Sequence, residues 1–428
     1  MYLKVKYHNV LVGILFLDSK KGQIYFEYDN KFADSPFQLS PLLMPNKKSF
    51  VYNFNHLPAD TFHFLPPLFA DSLPDKFGNE VFKKWLSAKG KTFDNLNPLE
   101  KLSYVGKRAT GALEYFPDID LSRKRGFIDV SDIVSIADAV LNNKKNSVSD
   151  FNRLNDILLI GTSAGGARAK AVIAIHKITK KIIPGDILSS DLNYDYYLFK
   201  IDQSTKDDLK FYGKIEYAYY KMAKLAGIDM SDSYISPDNI RAHFFTKRFD
   251  RINGEKIHMQ TLCNIAGMDY KNPLSHSYES VFNTIQKLNC DFSDKEEMFR
   301  RCVFNVVSQN NDDHTKNISF LMDNFGKWRL SPAYDITYSY NENNLWLKQH
   351  QLSVNGKRKK INSNDLLKLG KNFGIRNRKT IIERVVEAVS QWKKIALDVD
   401  IPKHKISSVE KNLLFDNFSK EIKHKHKI

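Results

Sequence analysis

The stretch Asn310–Asn317, which reads NNDDHTKN, consists of consecutive polar and charged residues between two apolar segments. Before it, EEMFRRCVFNVVSQN at 296–310 has the apolar spacing of a helix, and after it ISFLM at 318–322 is typical of a strand. A loop between a buried helix and a strand is held at both ends. Such a loop suits a group of catalytic side chains.

Two residues of this stretch, Asp312 and Asn317, are five positions apart. This is the spacing of Asp and Asn in the kinase catalytic loop H-R-D-x-x-x-x-N, where the Asp accepts the proton of the attacking hydroxyl and the Asn binds Mg²⁺. Mg²⁺ takes oxygen ligands, which both side chains supply. Asn- and Asp-rich loops are also common as plain turns, so the spacing alone leaves both interpretations open.

A second acidic element follows at Ser331–Ile336, SPAYDI, after the strand-like segments ISFLM and WRLSP. Asp335 lies where a kinase places another Mg²⁺ ligand, after a hairpin that returns the chain to the catalytic loop. Its neighbours are Tyr and Ile rather than the Phe and Gly of Asp-Phe-Gly. The alternative is that Asp335 caps a turn.

Upstream, GTSAGGARAK at 161–170 lies between two apolar strand-like runs. Glycines let backbone N–H groups approach phosphates closely. The segment is not a P-loop, because it lacks a terminal G-K-[ST] and is followed by a strand rather than a helix. A phosphate-binding loop and a Gly-rich hairpin turn both remain open.

Further along, Lys200 lies in the apolar strand DYYLFKID, where a lysine needs an anionic partner or a route to water. The α- and β-phosphates of ATP would supply such a partner. Glu216, early in the next helix, is its natural ion-pair partner, and a surface role for Glu216 is the alternative. In HFFTKRFDR, the backbone from Lys247 to Phe249 could form the hinge that binds adenine.

The order of these signals indicates a two-lobed kinase: Gly-rich loop, strand lysine, helix glutamate, hinge, helical lobe, D-x-x-x-x-N and then Asp. We predict an α+β fold with a β-rich N-terminal lobe, an added N-terminal subdomain and a mainly helical C-terminal lobe. The predicted domains are an N-terminal subdomain at 1–145, an ATP-binding part at 146–255 and a catalytic lobe at 256–428. The non-periodic polar stretch at 142–147 is the predicted linker.

Across nearly the whole chain, the sequence resembles the HipA-type toxin kinases. The matching motifs are LPDKFGN, YVGKRATGALEYFP, SAGGARAK, KRFDR, NDDHTKN, SPAYDI and LSVNGKRKKI. The resemblance implies a serine kinase that uses ATP and Mg²⁺ and phosphorylates a translation component, such as an aminoacyl-tRNA synthetase. It also implies neutralisation by a helix-turn-helix antitoxin of the HipB type that binds operator DNA.

Carried over by position, the resemblance implies Asp312 as the catalytic base, Asn317 and Asp335 as Mg²⁺ ligands, and Ser163 as an inactivating autophosphorylation site. The implied ATP-binding residues are Ser163, Ala164, Gly165, Gly166, Lys200, Lys247, Phe249, His314, Lys316 and Asp335. Two positions depart from the family pattern. The acidic position after the hinge falls in His258-Met259-Gln260-Thr261, and the usual Gln of the phosphate loop is Arg168.

The composition adds limits and alternatives. Lys and Arg number 65 against 49 Asp and Glu, a net charge of +16 that would attract polyanions, although the lysines are spread along the chain. We therefore also consider a DNA-associated corepressor with decayed kinase residues, which would use the cluster Lys357–Lys360, and a small-molecule phosphotransferase. Three cysteines without paired spacing, and the lack of a long apolar run, favour a cytoplasmic protein. The histidines and lysines at 423–427 suggest a solvated tail rather than a metal site.

Overall fold

A computed structural model describes residues 1–93, 96–118, 127–141, 169–185, 192–202, 211–238 and 241–425. The chain forms two compact units. The first consists of Met1–Lys210, Ser236–Gln260 and Leu321–Gly326; the second consists of Phe211–Ile235, Thr261–Phe320 and Lys327–Ile428. The predicted linker at 142–147 and most of the Gly-rich segment, 161–168, lie outside the described residues.

The first unit begins with an antiparallel sheet of five strands. In β1 the side chains of Leu3, Val5 and Tyr7 are buried while their neighbours face outward, which is the period-two pattern of a half-buried strand. The strand order is β4-β3-β2-β1-β5. The strands are β1 Tyr2–Tyr7, β2 Val10–Asp18, β3 Gln23–Tyr28, β4 Val51–Asn53 and β5 Leu113–Phe116. The sequence patterns VLVGILFLD at 10–18 and GQIYFEYDN at 22–30 predict two strands, and β2 and β3 confirm them.

The helices of this unit follow local capping signals. In the longest of them, α4, the Asp75 side chain accepts a hydrogen bond from the backbone N–H of Gly78 at 2.7 Å and so caps the first turn. The stretch NEVFKKWLSAKG at 79–90 predicts a helix, and the Asp75 cap starts it three residues earlier, at Lys76. The helices are α1 Asn30–Ala33, α2 Ala59–Phe62, α3 Pro67–Ala70, α4 Lys76–Ala88, α5 Pro98–Val105 and α6 Val130–Leu141.

A second five-stranded sheet has the order β7-β6-β8-β10-β9. Lys200, at the end of β8, is in register with Lys170 on one side and Phe244 on the other, so it belongs to the central strand. Its strands are β6 Lys170–His176, β7 Ile182–Pro184, β8 Tyr194–Lys200, β9 Ser233–Asp238 and β10 Arg241–Lys247. A small ribbon follows, made of β11 Arg251–Ile252 and β12 Glu255–Lys256.

The second unit is mainly helical. Its core includes Tyr219, whose ring lies 5.7 Å from that of Trp392 and 6.2 Å from that of Phe304. The Tyr219 hydroxyl donates to the Ser308 carbonyl at 2.6 Å, which satisfies its polar end in the core. The helices are α7 Tyr212–Ala226, α8 Leu262–Ile265, α9 Tyr278–Lys287, α10 Phe292–Ser308, α11 Ser363–Asn372, α12 Arg378–Ser390, α13 Trp392–Asp398, α14 Lys403–Glu410 and α15 Phe415–Lys425.

Three short strands, β13 His258–Thr261, β14 Ser319–Met322 and β15 Trp328–Leu330, lie where the chain passes between the units. The last two confirm the strands predicted in ISFLM and WRLSP. The pattern TIIERVVEAVSQWKKIA at 380–396 predicts a single helix. The structure has two helices there, because the chain turns at Gln391. Within the described residues, no helix combines the length and apolar character that crossing a membrane requires.

Asn355-Gly356 is a two-residue turn signal that predicts a hairpin. The turn is present but belongs to no extended hairpin. Both residues have positive φ, 48° and 79°, as a type I′ turn demands. Around it only one isolated antiparallel bridge forms, between Val354 and Lys357. The dipeptide therefore predicted the turn correctly, but the flanking chain forms no second strand, since Ser353 pairs with His276 and Ser277.

Candidate active site

The loop that follows α10 alternates between the core and the surface. Helix α10 ends at Gln309 in the left-handed conformation, φ 57°, and the chain then runs on toward β14. Asn311, Asp313 and Thr315 are buried, whereas Asp312 and His314 between them are partly exposed. Successive side chains of an extended segment point to opposite sides, so one set anchors the loop and the other is presented outward.

Asp313 is the main anchor of the loop, and sequence reasoning did not single it out. It is 3% exposed and accepts hydrogen bonds from the Tyr278 hydroxyl at 2.8 Å and from the backbone N–H of Gln351 at 2.7 Å. Its Oδ2 also lies 3.0 Å from Nδ1 of buried His350. Burial, together with the Asp313 carboxylate, raises the pKa of Tyr278, so this hydroxyl stays a donor.

Its neighbour Asp312 faces the other way, with 39% of its side chain exposed. The indole N–H of Trp346 donates to Asp312 Oδ1 at 2.7 Å. Nε2 of His314 lies 3.6 Å from the same oxygen. No residue in the described part of the chain donates to the other oxygen, Oδ2. The structure therefore presents one fixed and one available carboxylate oxygen at this position.

Asn317 is oriented by its own loop. It ends a short 3₁₀ turn, Thr315–Asn317, and its side-chain nitrogen donates to the Asp312 backbone carbonyl at 2.8 Å. Because the nitrogen is engaged there, the amide oxygen is left as the acceptor, and no described residue donates a hydrogen bond to it. This is the atom that a hard cation would use.

Asp335 adopts a left-handed backbone conformation, with φ 52°. Asp tolerates this region better than most residues, yet a non-glycine residue there is uncommon and is often found at functional sites. The hydroxyl of the preceding Tyr334 donates to the Lys316 carbonyl at 2.7 Å. The chain neighbours of Asp335 and Asn317 are thus hydrogen-bonded to each other, which brings the two segments together.

The segment before Asp335 is also tied from its other side. The backbone N–H of Ala333 donates to the Asp229 carbonyl at 2.7 Å, and Met230 and Ala333 form a parallel bridge. The backbone two residues before Asp335 is therefore fixed within the second unit, which supports a defined position for the Asp335 carboxylate.

The side chains predicted to bind Mg²⁺ are those of Asn317 and Asp335. In the described part of the chain, no three His, Cys, Asp or Glu side chains are grouped so that they could hold a metal ion. The Asn317 amide oxygen and the Asp335 carboxylate are oxygen donors of the kind that Mg²⁺ takes. The C-terminal tail at 426–428 lies outside the described residues.

The remaining predicted ATP-binding residues of the described chain lie around the second sheet or beside Asp312. The Lys200 ammonium lies 5.7 Å from the Phe244 ring. Lys247 forms an ion pair with Asp195 at 2.9 Å. Of the backbone groups from Lys247 to Phe249, the Arg248 N–H donates to the Tyr196 carbonyl of β8 at 2.8 Å. Lys316 lies 5.0 Å from the Tyr270 ring. The loop residues Ser163 to Gly166 lie outside the described part.

The predicted hinge motif KRFDR contains a buried ionic cluster that sequence reasoning missed. Asp250 is 3% exposed and is bound by Arg248 at 2.8 Å, by Arg251 at 2.9 Å and by the backbone N–H of Gly111 at 2.8 Å. Burial alone would raise the pKa of Asp250, but the two guanidinium groups and these hydrogen bonds hold it below its ordinary value. The cluster joins this motif to the motif at 104–117, so Asp250 and Arg251 hold the chain directly after the predicted hinge in place.

The departure at His258–Thr261 is also a core feature. His258 is 1% exposed, and its Nε2 lies 2.8 Å from the Leu39 carbonyl. Burial lowers the pKa of His258 to about 4, so the ring is neutral near pH 7. Arg168, the second departure, lies outside the described residues.

Comparisons with known proteins cover both parts of the chain. The family model described as the HipA N-terminal domain matches residues 3–116, and the one described as the HipA-like C-terminal domain matches residues 162–393. The second match alone spans more than half of the 428 residues. The chain belongs to the HipA family. The resemblance predicted from the sequence motifs is therefore confirmed.

A solved structure supports the HipA fold. The chain is similar to a protein of the Shewanella oneidensis MR-1 toxin–antitoxin complex of HipA, HipB and operator DNA, at 15% identity and a TM-score of 0.66. The match covers 98% of this chain and 95% of that chain. At this identity the likeness shows the fold, and it confirms the predicted α+β, two-lobed HipA-type class.

A second match is weaker. The Helicobacter pylori proinflammatory kinase CtkA is 13% identical, with 54% of this chain and 91% of that chain covered, and its TM-score of 0.33 is too low to carry an argument. Among curated proteins, none matches the sequence significantly.

Proposed function

We propose that this HipA-family chain is a Ser/Thr protein kinase toxin that transfers the γ-phosphate of ATP to a serine of a cellular protein. One observation carries the proposal: two adjacent aspartates have opposite environments. Asp313 is buried and hydrogen-bonded into the core, whereas Asp312 is presented outward with Oδ2 available. A catalytic base needs this second environment.

In the proposed reaction, Asp312 accepts the proton of the substrate serine. The serine oxygen forms a bond to the γ-phosphorus, the bond from that phosphorus to the β–γ bridging oxygen breaks, and ADP leaves. The proton then passes from Asp312 to solvent, which restores the carboxylate. The chain contributes mainly by positioning, since phosphoryl transfer needs little covalent chemistry from the protein.

Asn317 and Asp335 would hold Mg²⁺ through their side-chain oxygens. When bound, this ion neutralises negative charge on the phosphates. The hydrogen bond from Asn317 to the Asp312 carbonyl supports this role, because it fixes the amide with its oxygen available. Lys200 would contact the α- and β-phosphates, the backbone from Lys247 to Phe249 would bind adenine, and His314 and Lys316 would complete the nucleotide site.

The Gly-rich loop would cover the phosphates through Ser163, Ala164, Gly165 and Gly166. Autophosphorylation of Ser163 would then switch the enzyme off, because a phosphate adds roughly −1.5 to −2 charge to a loop that must itself receive phosphates. The domain boundaries that go with these roles are 1–145, 146–255 and 256–428.

The partners follow from the same family. The Shewanella complex contains HipA, HipB and operator DNA. We propose a helix-turn-helix antitoxin of this type for the present chain, with operator DNA bound through the antitoxin, and an aminoacyl-tRNA synthetase or another translation component as substrate. We place the protein in the cytoplasm; Cys263, Cys290 and Cys302 are free thiols, which a reducing compartment would keep in that state.

The corepressor alternative loses part of its support in the structure. Of its basic cluster, Lys357 pairs with Asp365 at 2.8 Å, and Arg358 donates to the His276 carbonyl at 2.8 Å. Half of the cluster therefore holds the chain together instead of forming a free basic patch. A small-molecule phosphotransferase would transfer the phosphate to a metabolite, whereas a protein kinase transfers it to a protein, and this difference separates the two functions.

The proposal is tested by incubating the chain with Mg²⁺ and γ-labelled ATP. We expect Mg²⁺-dependent labelling of protein serine, and its loss in Asp312→Asn. A matched control is Asp398→Asn, which removes one exposed carboxylate from α13 and should label like the wild type. Undiminished labelling of Asp312→Asn would reject Asp312 as the base, and label on a metabolite alone would reject the protein-kinase assignment.

A further inference from the structure

Trp346 contacts the proposed base, although the proposed reaction gives it no role. Its indole N–H donates to Asp312 Oδ1 at 2.7 Å, although the two residues are 34 positions apart. Asp312 is 39% exposed, so an ordinary surface carboxylate at this position would be solvated and free to rotate. A short, charge-assisted hydrogen bond fixes it instead.

Trp346 is itself held firmly. Its backbone N–H and that of Leu347 both donate to the Asn344 side-chain oxygen, at 2.8 and 3.1 Å. The next carbonyl, of Leu347, accepts from the side-chain nitrogen of Asn311 at 2.9 Å. Asn311 directly precedes Asp312, so the Trp346 turn is bound to the loop of Asp312 through both the backbone and the indole.

A second ring, that of His314, lies beside this contact. The His314 ring lies 6.0 Å from the Trp346 ring, at 64°, and 5.5 Å from the Tyr270 ring. His314 Nε2 lies 3.6 Å from Asp312 Oδ1, the oxygen that Trp346 also binds. The indole nitrogen of Trp346 and Nε2 of His314 therefore both lie beside Oδ1 of the Asp312 carboxylate. Within the described chain, nothing donates to Oδ2 on the other side.

We infer that Trp346 is a positioning residue that fixes the Asp312 carboxylate, so that Oδ2 faces the serine hydroxyl of the protein substrate. This inference rests on the proposed function, in which Asp312 is the base. A base that rotates freely spends little time aligned with the hydroxyl, and misplacement of a reacting group by about 1 Å can cost on the order of a hundredfold in rate. Trp346 would act through Asp312 and would not itself touch the phosphates.

The contact is tested first without any activity measurement. The chain has four tryptophans, so ¹⁵N labelling gives a small set of indole N–H resonances, and Trp346→Phe assigns the one from Trp346. We expect Asp312→Asn to move this resonance, because the indole loses a charged acceptor, and to leave the other tryptophan resonances in place. If the Trp346 resonance does not respond to Asp312→Asn, the contact is absent in solution and the inference is overturned.

The role is tested by Trp346→Phe, which keeps an aromatic ring and removes the N–H. We expect phosphate transfer at saturating ATP to slow roughly ten- to a hundredfold, with an unchanged ATP concentration at half-maximal rate. The control is Leu345→Ala, because Leu345 is 81% exposed on the same turn. This control should match the wild type in both quantities.

The outcomes separate the inference from the proposed function. If the wild type transfers phosphate and Trp346→Phe transfers it at the same rate or faster, only the positioning role is overturned. A rise in the half-maximal ATP concentration, without a slower rate at saturation, overturns it in favour of a nucleotide contact. Absence of transfer by the wild type overturns the proposed function, and the positioning role with it, even if the indole resonance confirms the contact.

Discussion

At the scale of single residues, the adjacent pair Asp312 and Asp313 shows what sequence reasoning could and could not do. Residue spacing and the family resemblance both selected Asp312 as the base. The physical reason lies elsewhere in the chain: Tyr278 and Gln351, 35 and 38 positions from Asp313, donate to the second carboxylate and draw it into the core. Contacts over such distances are not visible in local sequence, so the anchoring role of Asp313 was missed.

This division predicts opposite effects of two conservative substitutions. Asp313→Asn removes the charge from a buried site with three hydrogen-bonding neighbours, and we expect a loss of about 2–4 kcal/mol in the free energy of unfolding. Asp312→Asn changes a partly exposed group, and we expect a change within about 1 kcal/mol together with loss of phosphate transfer. Urea unfolding followed by circular dichroism measures both. Equal destabilisation by the two variants would contradict the assignment.

At the scale of helices and strands, most elements were predictable because their signals are local. The alternation in β1 to β3, the Gly227 stop of α7 at φ 82° and the Asn355-Gly356 turn all depend on neighbouring residues. The break at Gln391 was not predicted, since the apolar pattern continues through it into Trp392, a fully buried residue. There the helix ends because of packing rather than because of a Gly or Pro.

The strand β13 carries a pH-sensitive group whose effect on stability can be measured. His258 is neutral in the folded chain, because burial and, to a smaller degree, the neighbouring His8 lower its pKa to about 4. Its hydrogen bond to the Leu39 carbonyl raises the pKa and offsets part of this effect. The unfolded chain has an ordinary histidine with a pKa of about 6.5 and so binds a proton first as the pH falls. We therefore expect this residue to cost up to about 3 kcal/mol of stability between pH 6.5 and pH 4.

The measurement compares the urea midpoint at pH 7.5 and pH 5 for the wild type and for His258→Gln, which can still donate to Leu39 O. The wild type should lose more stability on acidification than the variant. The control is His404→Gln, because His404 is exposed on α14, and it should keep the wild-type dependence. An identical pH dependence of His258→Gln and the wild type would show that His258 does not drive the change.

At the scale of the whole molecule, the order of motifs predicted the fold class and the family. It did not predict which segments of the chain form each unit. The first unit includes Ser236–Gln260 and Leu321–Gly326, which the chain supplies only after it has entered the second unit. A linear sequence gives no sign of such exchanges. The net charge of +16 likewise fits both a polyanion-binding surface and lysines spread over the surface, because a total charge does not locate a patch.

The proposed phosphate transfer requires Asn317 and Asp335 to bind one divalent ion beside ATP. Calorimetric titration with ATP, in the presence and absence of Mg²⁺, tests it most directly. We predict that Mg²⁺ strengthens ATP binding by the wild type and by Asp312→Asn, and that Asn317→Ala and Asp335→Asn each lose most of this gain while they bind metal-free ATP like the wild type. An undiminished Mg²⁺ effect in both of these variants would contradict the proposed centre.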